Sequence, residues 1–193
     1  MEAFSDGVFA IAATLLVLEF TVNVNNDLAP QLLHLWPAYL SYVTSFVTIG
    51  IIWMNHHHTV SLFGRVDRTM LFLNVLLLLC IAFLPFPTKL VGDDLRHHVD
   101  NEQAAVLDYT ATLLLMAVLH QFWWQYARRK RRLIRDDVSD ARVQAVDRAY
   151  AAGVPTYGVA FAVAFFSPLA AVFLTFAIAA FYLPSAALFD RAG

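Results

Sequence analysis

The sequence predicts an all-α membrane protein with six transmembrane helices per subunit and both termini on the cytoplasmic side. Three observations predict it. Of the 193 residues, 60% are hydrophobic and only 15% charged, whereas soluble domains run nearer half apolar and a quarter charged. The apolar residues fall in runs of about 20, each long enough to cross the hydrocarbon of a bilayer as a helix. The basic residues between those runs are unevenly placed, with eight of the thirteen Lys and Arg lying between Arg128 and Arg148.

The first span is expected from about Phe4 to Asn23. Plotted at 100° per residue, Ile11, Leu15 and Leu18 fall within an arc of about 60°, and Phe4, Val8 and Val22 extend the same stripe. Asp6 points about 140° away from Ile11, beside the small side chains Ala10 and Ala13. One face therefore offers stacked aliphatics and the other a carboxylate in a close-packing groove. A signal peptide is excluded, because Glu2 and Asp6 stand where a positive leading segment would be.

A polar loop, NVNNDLAPQ, leads to the second span, about Leu35 to His57, and Arg65, Asp67 and Arg68 punctuate before the third, Met70 to about Leu90. Pro85 and Pro87 should kink or stop that helix. The polar segment GDDLRHHVDNEQ precedes the fourth span, about Ala104 to Tyr126. A basic loop, 128–148, separates it from the fifth, about Ala149 to Phe166, and a tight break at Ser167-Pro168 opens the sixth, to about Phe189. The whole chain, 1–193, reads as one six-helix domain. Arg65, Arg68 and the basic loop fall on one side of this plan, which assigns that side to the cytoplasm. The interleaved Asp136, Asp137, Asp140 and Asp147 make the basic loop a topology signal and a solvated helix extension, in preference to a nucleic-acid or anionic-lipid contact. Cys80, alone in an apolar run, can form no intrachain disulfide.

Polar groups inside spans need partners or a water-filled path. Asp6 is the most costly, and the end of span two, Trp53 to His58 with Asn55, His56 and His57, lies on the same side. A clamp between them would hold the first helix at a fixed rotation, stripe outward and Asp6 inward. Three adjacent histidines splay by about 100° each, so one helix cannot aim them at one ion, and no metal site is expected. Ser41, Ser45 and Thr48 form a row read as helix packing, with pore lining as the sharper alternative. Asn74 and Asp108 are single polar insertions suited to interhelical bonds, and Glu19 closes the first span as a possible outer-mouth charge.

A carbonyl filter of the TVGYG type, a Gly-rich phosphate loop, a GxSxG elbow and an arginine-rich voltage-sensor helix are all missing from the sequence. An enzyme is not expected, and no cofactor beyond a permeant cation. Since the opening motif occurs once, any closed ring of such helices must come from several chains.

The stretch FSDGVFAIAATLLVLEF closely resembles the signature of the transmembrane-protein-175 family, the endolysosomal potassium channel and its prokaryotic homologues. WMNHHH in span two and LNVLLLLCIAFLPFPT in span three are similar to the family's second and third helices. The resemblance implies a homotetramer in a prokaryotic cell membrane, passing potassium in preference to other monovalent cations through a pore lined by the first helix. It implies a constriction at Ile11, Leu15 and Leu18, a selectivity role at Thr14, and a polar network around Phe4, Ser5 and Asp6. In the family that network includes a preceding Arg. This sequence starts at Met1 without one, which leads us to expect a trimmed or misplaced start. A ring of Ile and Leu has no oxygen ligands and would act as a steric and dewetting barrier. The rival readings are a proton-coupled transporter or proton-conducting channel using Asp6 and histidines, and a non-conducting membrane protein.

Overall fold

The computed structural model describes residues 1–20, 22, 27–97, 102–131 and 133–188. Eight α-helices follow in order: α1 (Glu2–Leu15), α2 (Leu28–His34), α3 (Trp36–Ser61), α4 (Arg68–Phe83), α5 (Pro85–His97), α6 (Glu102–Arg128), α7 (Asp140–Ala164) and α8 (Pro168–Leu188). Short 3-10 turns extend α1 over Leu16–Glu19 and α6 over Arg129–Arg131. No strand is present among the described residues. Three helical stretches among them are long and apolar enough to cross a membrane: Ala38–Ser61, Arg68–Asp93 and Glu102–Arg128; a shorter apolar helix runs over Pro168–Tyr182.

The elements depart from the expected boundaries for identifiable reasons. α1 has only 14 α-helical residues before its four-residue 3-10 tail, but the steeper rise of that tail brings the pair to about 29 Å. Part of the expected loop is helical: α2 begins inside it at Leu28 and runs on to His34, and none of its residues is buried. The third run is interrupted at Leu84, whose N–H turns to Ile81 O at 3.2 Å. Pro85 has no N–H for that carbonyl, and the helix restarts when Thr88 N–H reaches Leu84 O at 3.2 Å. The prolines therefore kink the run without stopping it, and α5 continues as helix through the polar residues to His97. α7 begins nine residues before the expected Ala149, where the Ser139 hydroxyl caps Arg142 N–H at 3.3 Å.

The basic ends of the helices are stitched together. Gly64 N–H donates to Leu133 O and Arg135 N–H to Leu62 O, both at 3.0 Å, so the α3–α4 and α6–α7 connections pair as a short antiparallel bridge. Asp67 Oδ1 caps α4 by accepting from Met70 N–H at 2.9 Å, and its Oδ2 accepts from the Tyr126 hydroxyl of α6 at 2.7 Å. Above this base the main core packs Phe9, Ala12 and Leu16 of α1 with Leu77 and Ile81 of α4 and Leu113 of α6. α3 and α5 approach closely at Gly92, where an added Cβ would meet Ala38 Cα at 3.3 Å.

Candidate functional site

α1 has two unlike faces. Ser5, Phe9, Ala12 and Leu16 are each 2% exposed or less, and their spacing of three and four residues puts them on one side. On the opposite side Phe4 is 63% exposed, Ile11 59%, Leu15 40% and Leu18 69%, and Val22 beyond the helix is exposed too. Val8, expected on this stripe, packs partly against the core, because its angle brings it to the boundary of the buried face. Thr14 is exposed beside the stripe, its hydroxyl donating to Ile11 O at 2.9 Å. The Glu19 side chain lies outside the described residues.

Hydrogen bonds fix the rotation of α1 at its N-terminal end. Asn74 of α4 is the hub: its Nδ2 donates to Ser5 Oγ at 3.0 Å, and its Oδ1 lies 2.7 Å from His56 Nε2 of α3. Since Asn74 Oδ1 can only accept, His56 carries its proton on Nε2. All three residues are 2% exposed or less, so the amide and the imidazole depend on this trio for partners, while the Ser5 hydroxyl also donates to Met1 O at 3.1 Å. His56 is further held by stacking on Trp123 at 4.9 Å and by a tilted contact with Phe9 at 5.4 Å. At the edge of the buried face Asp6 Oδ1 accepts from Trp53 Nε1 at 2.8 Å, and His57 Nδ1 lies 3.1 Å from Glu2 Oε1.

Four of the residues anticipated for the network, Ser5, Asp6, Trp53 and His56, are thus brought together, with His57 beside them. Two are elsewhere. Phe4 sits on the exposed stripe one residue before Ser5, since neighbours on a helix diverge by about 100°. Asn55 turns from α1 toward α6 and α7, where its side chain lines a small cavity with His120 and Tyr150. Asp6 is half-buried, and Ser5 takes the buried centre instead. Two participants are additions: Glu2, and Asn74 as the hub. Asn74 could have been promoted on one signal, an amide alone in a run of branched aliphatics, which has to find a partner in hydrocarbon.

The splayed histidines behave as helical geometry requires: His56 points to Asn74, His57 to Glu2, and His58 to a pocket shared with Arg135. One grouping of metal-ligand type occurs among the described residues, Glu2, Asp6 and His57, whose ligand atoms lie within 4.8 Å of one another. It is open to solvent on two of its three members, and one Asp6 oxygen is already engaged by Trp53. The row Ser41, Ser45, Thr48 is buried inside the subunit, away from the stripe of α1. Ser45 Oγ lies 2.8 Å from Thr88 Oγ1 and 3.2 Å from the Tyr109 hydroxyl, joining α3, α5 and α6.

Comparison with known proteins places this architecture. The family described as endosomal/lysosomal potassium channel TMEM175 matches residues 1–85, which contain α1, α3, α4 and every member of the Ser5 network. A potassium channel of Chamaesiphon minutus is 39% identical over 187 residues, covering 94% of this chain and 91% of the relative. The crystal structure of a lysosomal potassium-selective channel TMEM175 homologue from the same organism superposes with a TM-score of 0.86 at 37% identity, over 96% of this chain and 95% of that one. An endosomal/lysosomal proton channel TMEM175 of Gallus gallus is 38% identical over 104 residues, which is 48% of this chain and 21% of the relative. The chain belongs to the TMEM175 family, a family of membrane channels and not of enzymes.

Proposed function

We propose that this chain is one subunit of a homotetrameric, potassium-preferring cation channel with six membrane-spanning helices, conducting passively through a pore lined by α1. One observation carries the proposal: four large apolar side chains, Phe4, Ile11, Leu15 and Leu18, stand exposed on a helix whose other face is buried and hydrogen-bonded in place. Exposed apolar side chains elsewhere, such as Phe72 and Leu79 of α4, suit lipid; on α1 the stripe lies in the segment that matches the channel family. Four copies around an axis would bring the stripes together, with rings of Ile11, Leu15 and Leu18 as the constriction and dewetting gate. Thr14, next to the stripe, supplies a hydroxyl whose oxygen can meet a passing cation while its proton is donated to Ile11 O.

Under this reading Ser5 and Asp6 work behind the wall. They set the angle at which the stripe meets the axis, while the permeant ion, a monovalent cation, meets aliphatics and hydroxyls. The names of the bacterial relatives support potassium as that ion. The name of the Gallus gallus relative supports a second reading, proton conduction, in which Asp6 and histidines would carry the ion. Against it stands the engagement of Asp6 with Trp53 and of His56 with Asn74, neither pair leading to the other face of α1.

Flux from purified protein in liposomes tests both. Downhill potassium flux that needs no proton gradient is expected from the wild type. Ile11→Asn should raise conductance and weaken the preference for potassium over sodium, and Leu15→Ala should raise conductance with less change in preference. No flux in the wild type, together with no effect of Ile11→Asn, would remove the pore assignment. Flux carried by protons and abolished by Asp6→Asn with the oligomer intact would establish the second reading.

A further inference from the structure

At the basic end of the fold, α4 and α6 border a groove of about 660 Å³ whose lining includes no residue of α1. Its volume falls within the range of small-molecule sites, about 300–1,000 Å³. One end is apolar, formed by Leu73 of α4 and Leu119 and Phe122 of α6, with Phe122 59% exposed. The other end is polar and cationic, formed by Gln125, Arg128 and Arg129. The change from apolar to basic takes place within two turns of one helix, because Phe122, Gln125 and Arg129 recur at helical spacing on the same side.

We propose that this groove binds an anionic phospholipid, with an acyl chain against Leu73, Leu119 and Phe122 and the phosphate between Arg128 and Arg129. Three features select that occupant. The apolar half belongs to stretches long and apolar enough to cross a membrane, Arg68–Asp93 and Glu102–Arg128, where a bilayer would surround it with hydrocarbon. The basic half sits where the α6 stretch ends, at the depth of a headgroup, and basic pockets between membrane helices suit anionic headgroups. The two arginines are also electrostatically unequal. Arg128 Nη1 is shared with Asp147 at 3.0 Å, while Arg129 has no acidic partner among the described residues, so the groove presents a net positive end. Gln125 adds a donor that a phosphate or glycerol oxygen can accept. A zwitterionic phospholipid would offer the same phosphate but bring its own cation to this positive end.

The test is lipid binding to the purified full-length protein, measured by native mass spectrometry and by thermal stability in mixed micelles. Phosphatidylglycerol should stabilise the wild type and phosphatidylcholine should not. Arg129→Gln should lower the apparent affinity for phosphatidylglycerol about fivefold, with Arg129→Lys recovering part of it. Phe122→Ala should weaken phosphatidylglycerol binding as well. Arg142→Gln, in the basic segment outside the groove, should leave it unchanged. Glycerol phosphate alone should give little stabilisation, since it lacks the acyl chain. Equal loss with Arg142→Gln would show a diffuse surface-charge effect and overturn the proposal, as would an equal shift from glycerol phosphate. A wild type that retains neither lipid, with Phe122→Ala dissociating the oligomer, would show that a neighbouring subunit fills the groove.

Discussion

Two polar networks cross the interior of this chain, about 16 Å apart along α3, and they treat α1 differently. The one near the basic end, Ser5–Asn74–His56 with Asp6–Trp53 beside it, ties α1 to both α3 and α4. The other, Ser45–Thr88–Tyr109, ties α3, α5 and α6 and leaves α1 out. At that level the packing of α1 and its 3-10 tail includes buried Leu16 and Phe20, whose ring lies 5.1 Å from Tyr39 and 5.3 Å from Tyr42. Buried hydrogen bonds fix an angle, because losing one leaves a polar group without a partner. Apolar contacts accept small displacements at lower cost. The comparison teaches that buried hydrogen bonds set the angle of α1 at its N-terminal end, while the packing shown toward its 3-10 tail, beside Leu15 and Leu18, is of aliphatic and aromatic side chains.

Removing the hub should break the comparison most severely. Asn74→Leu leaves His56 Nε2 without its acceptor and Ser5 with Met1 O alone, and should cost about 1–3 kcal/mol, read as lower thermal stability in detergent and a smaller oligomer fraction on size exclusion. Asp6→Ala removes only the Trp53 bond, a loss of about 1 kcal/mol. It should reduce expression or assembly without a subtle change in ion preference, and Asp6→Asn should restore part of the loss by keeping an acceptor. Thr88→Val tests the other network. It should cost about 0.6 kcal/mol and leave flux per assembled channel unchanged, since α1 takes no part in that network. A flux change as large as that of the Asn74 variant would erase the distinction between the two ends.

The smallest effect belongs to the basic loop. The Arg135 guanidinium, bonded to Asp137, holds that carboxyl below its ordinary range. A depressed folded-state pKa makes the contribution present at neutral pH and lost as pH falls through the folded value. Arg135→Ala should therefore flatten the acid limb of a stability–pH curve slightly, by a small loss at neutral pH that vanishes in acid, the pair being solvated.

Much of this was legible in the sequence because hydropathy and helical angle are local properties. The stripe of Ile11, Leu15 and Leu18 follows from 100° per residue alone, and so does the opposition of Ser5 to it. The cost of Asp6 and Asn74 in an apolar run shows that each needs a partner. Which partner is a question of how three helices pack, and the pairing Ser5–Asn74–His56 spans 69 positions at its longest step. The neighbours Trp53 and His56 suggest by sequence that Asn55 faces α1, but in the fold it faces α6 and α7. Boundaries failed where a local preference was weak: the 3-10 tail of α1, the helix past Pro87, and α7, whose Ser139 cap lies inside a stretch that reads as loop by charge.

The central claim is that the exposed stripe of α1 faces the ion path. Single cysteines introduced in a Cys80→Ala background, at Ile11, at Leu15 and at Phe72 on the exposed side of α4, put it to a direct test by thiol modification during potassium flux in liposomes. The account predicts that a charged methanethiosulfonate reagent blocks flux through the Ile11→Cys and Leu15→Cys channels and leaves Phe72→Cys unaffected. Block at Phe72→Cys with none at Ile11→Cys or Leu15→Cys would contradict it.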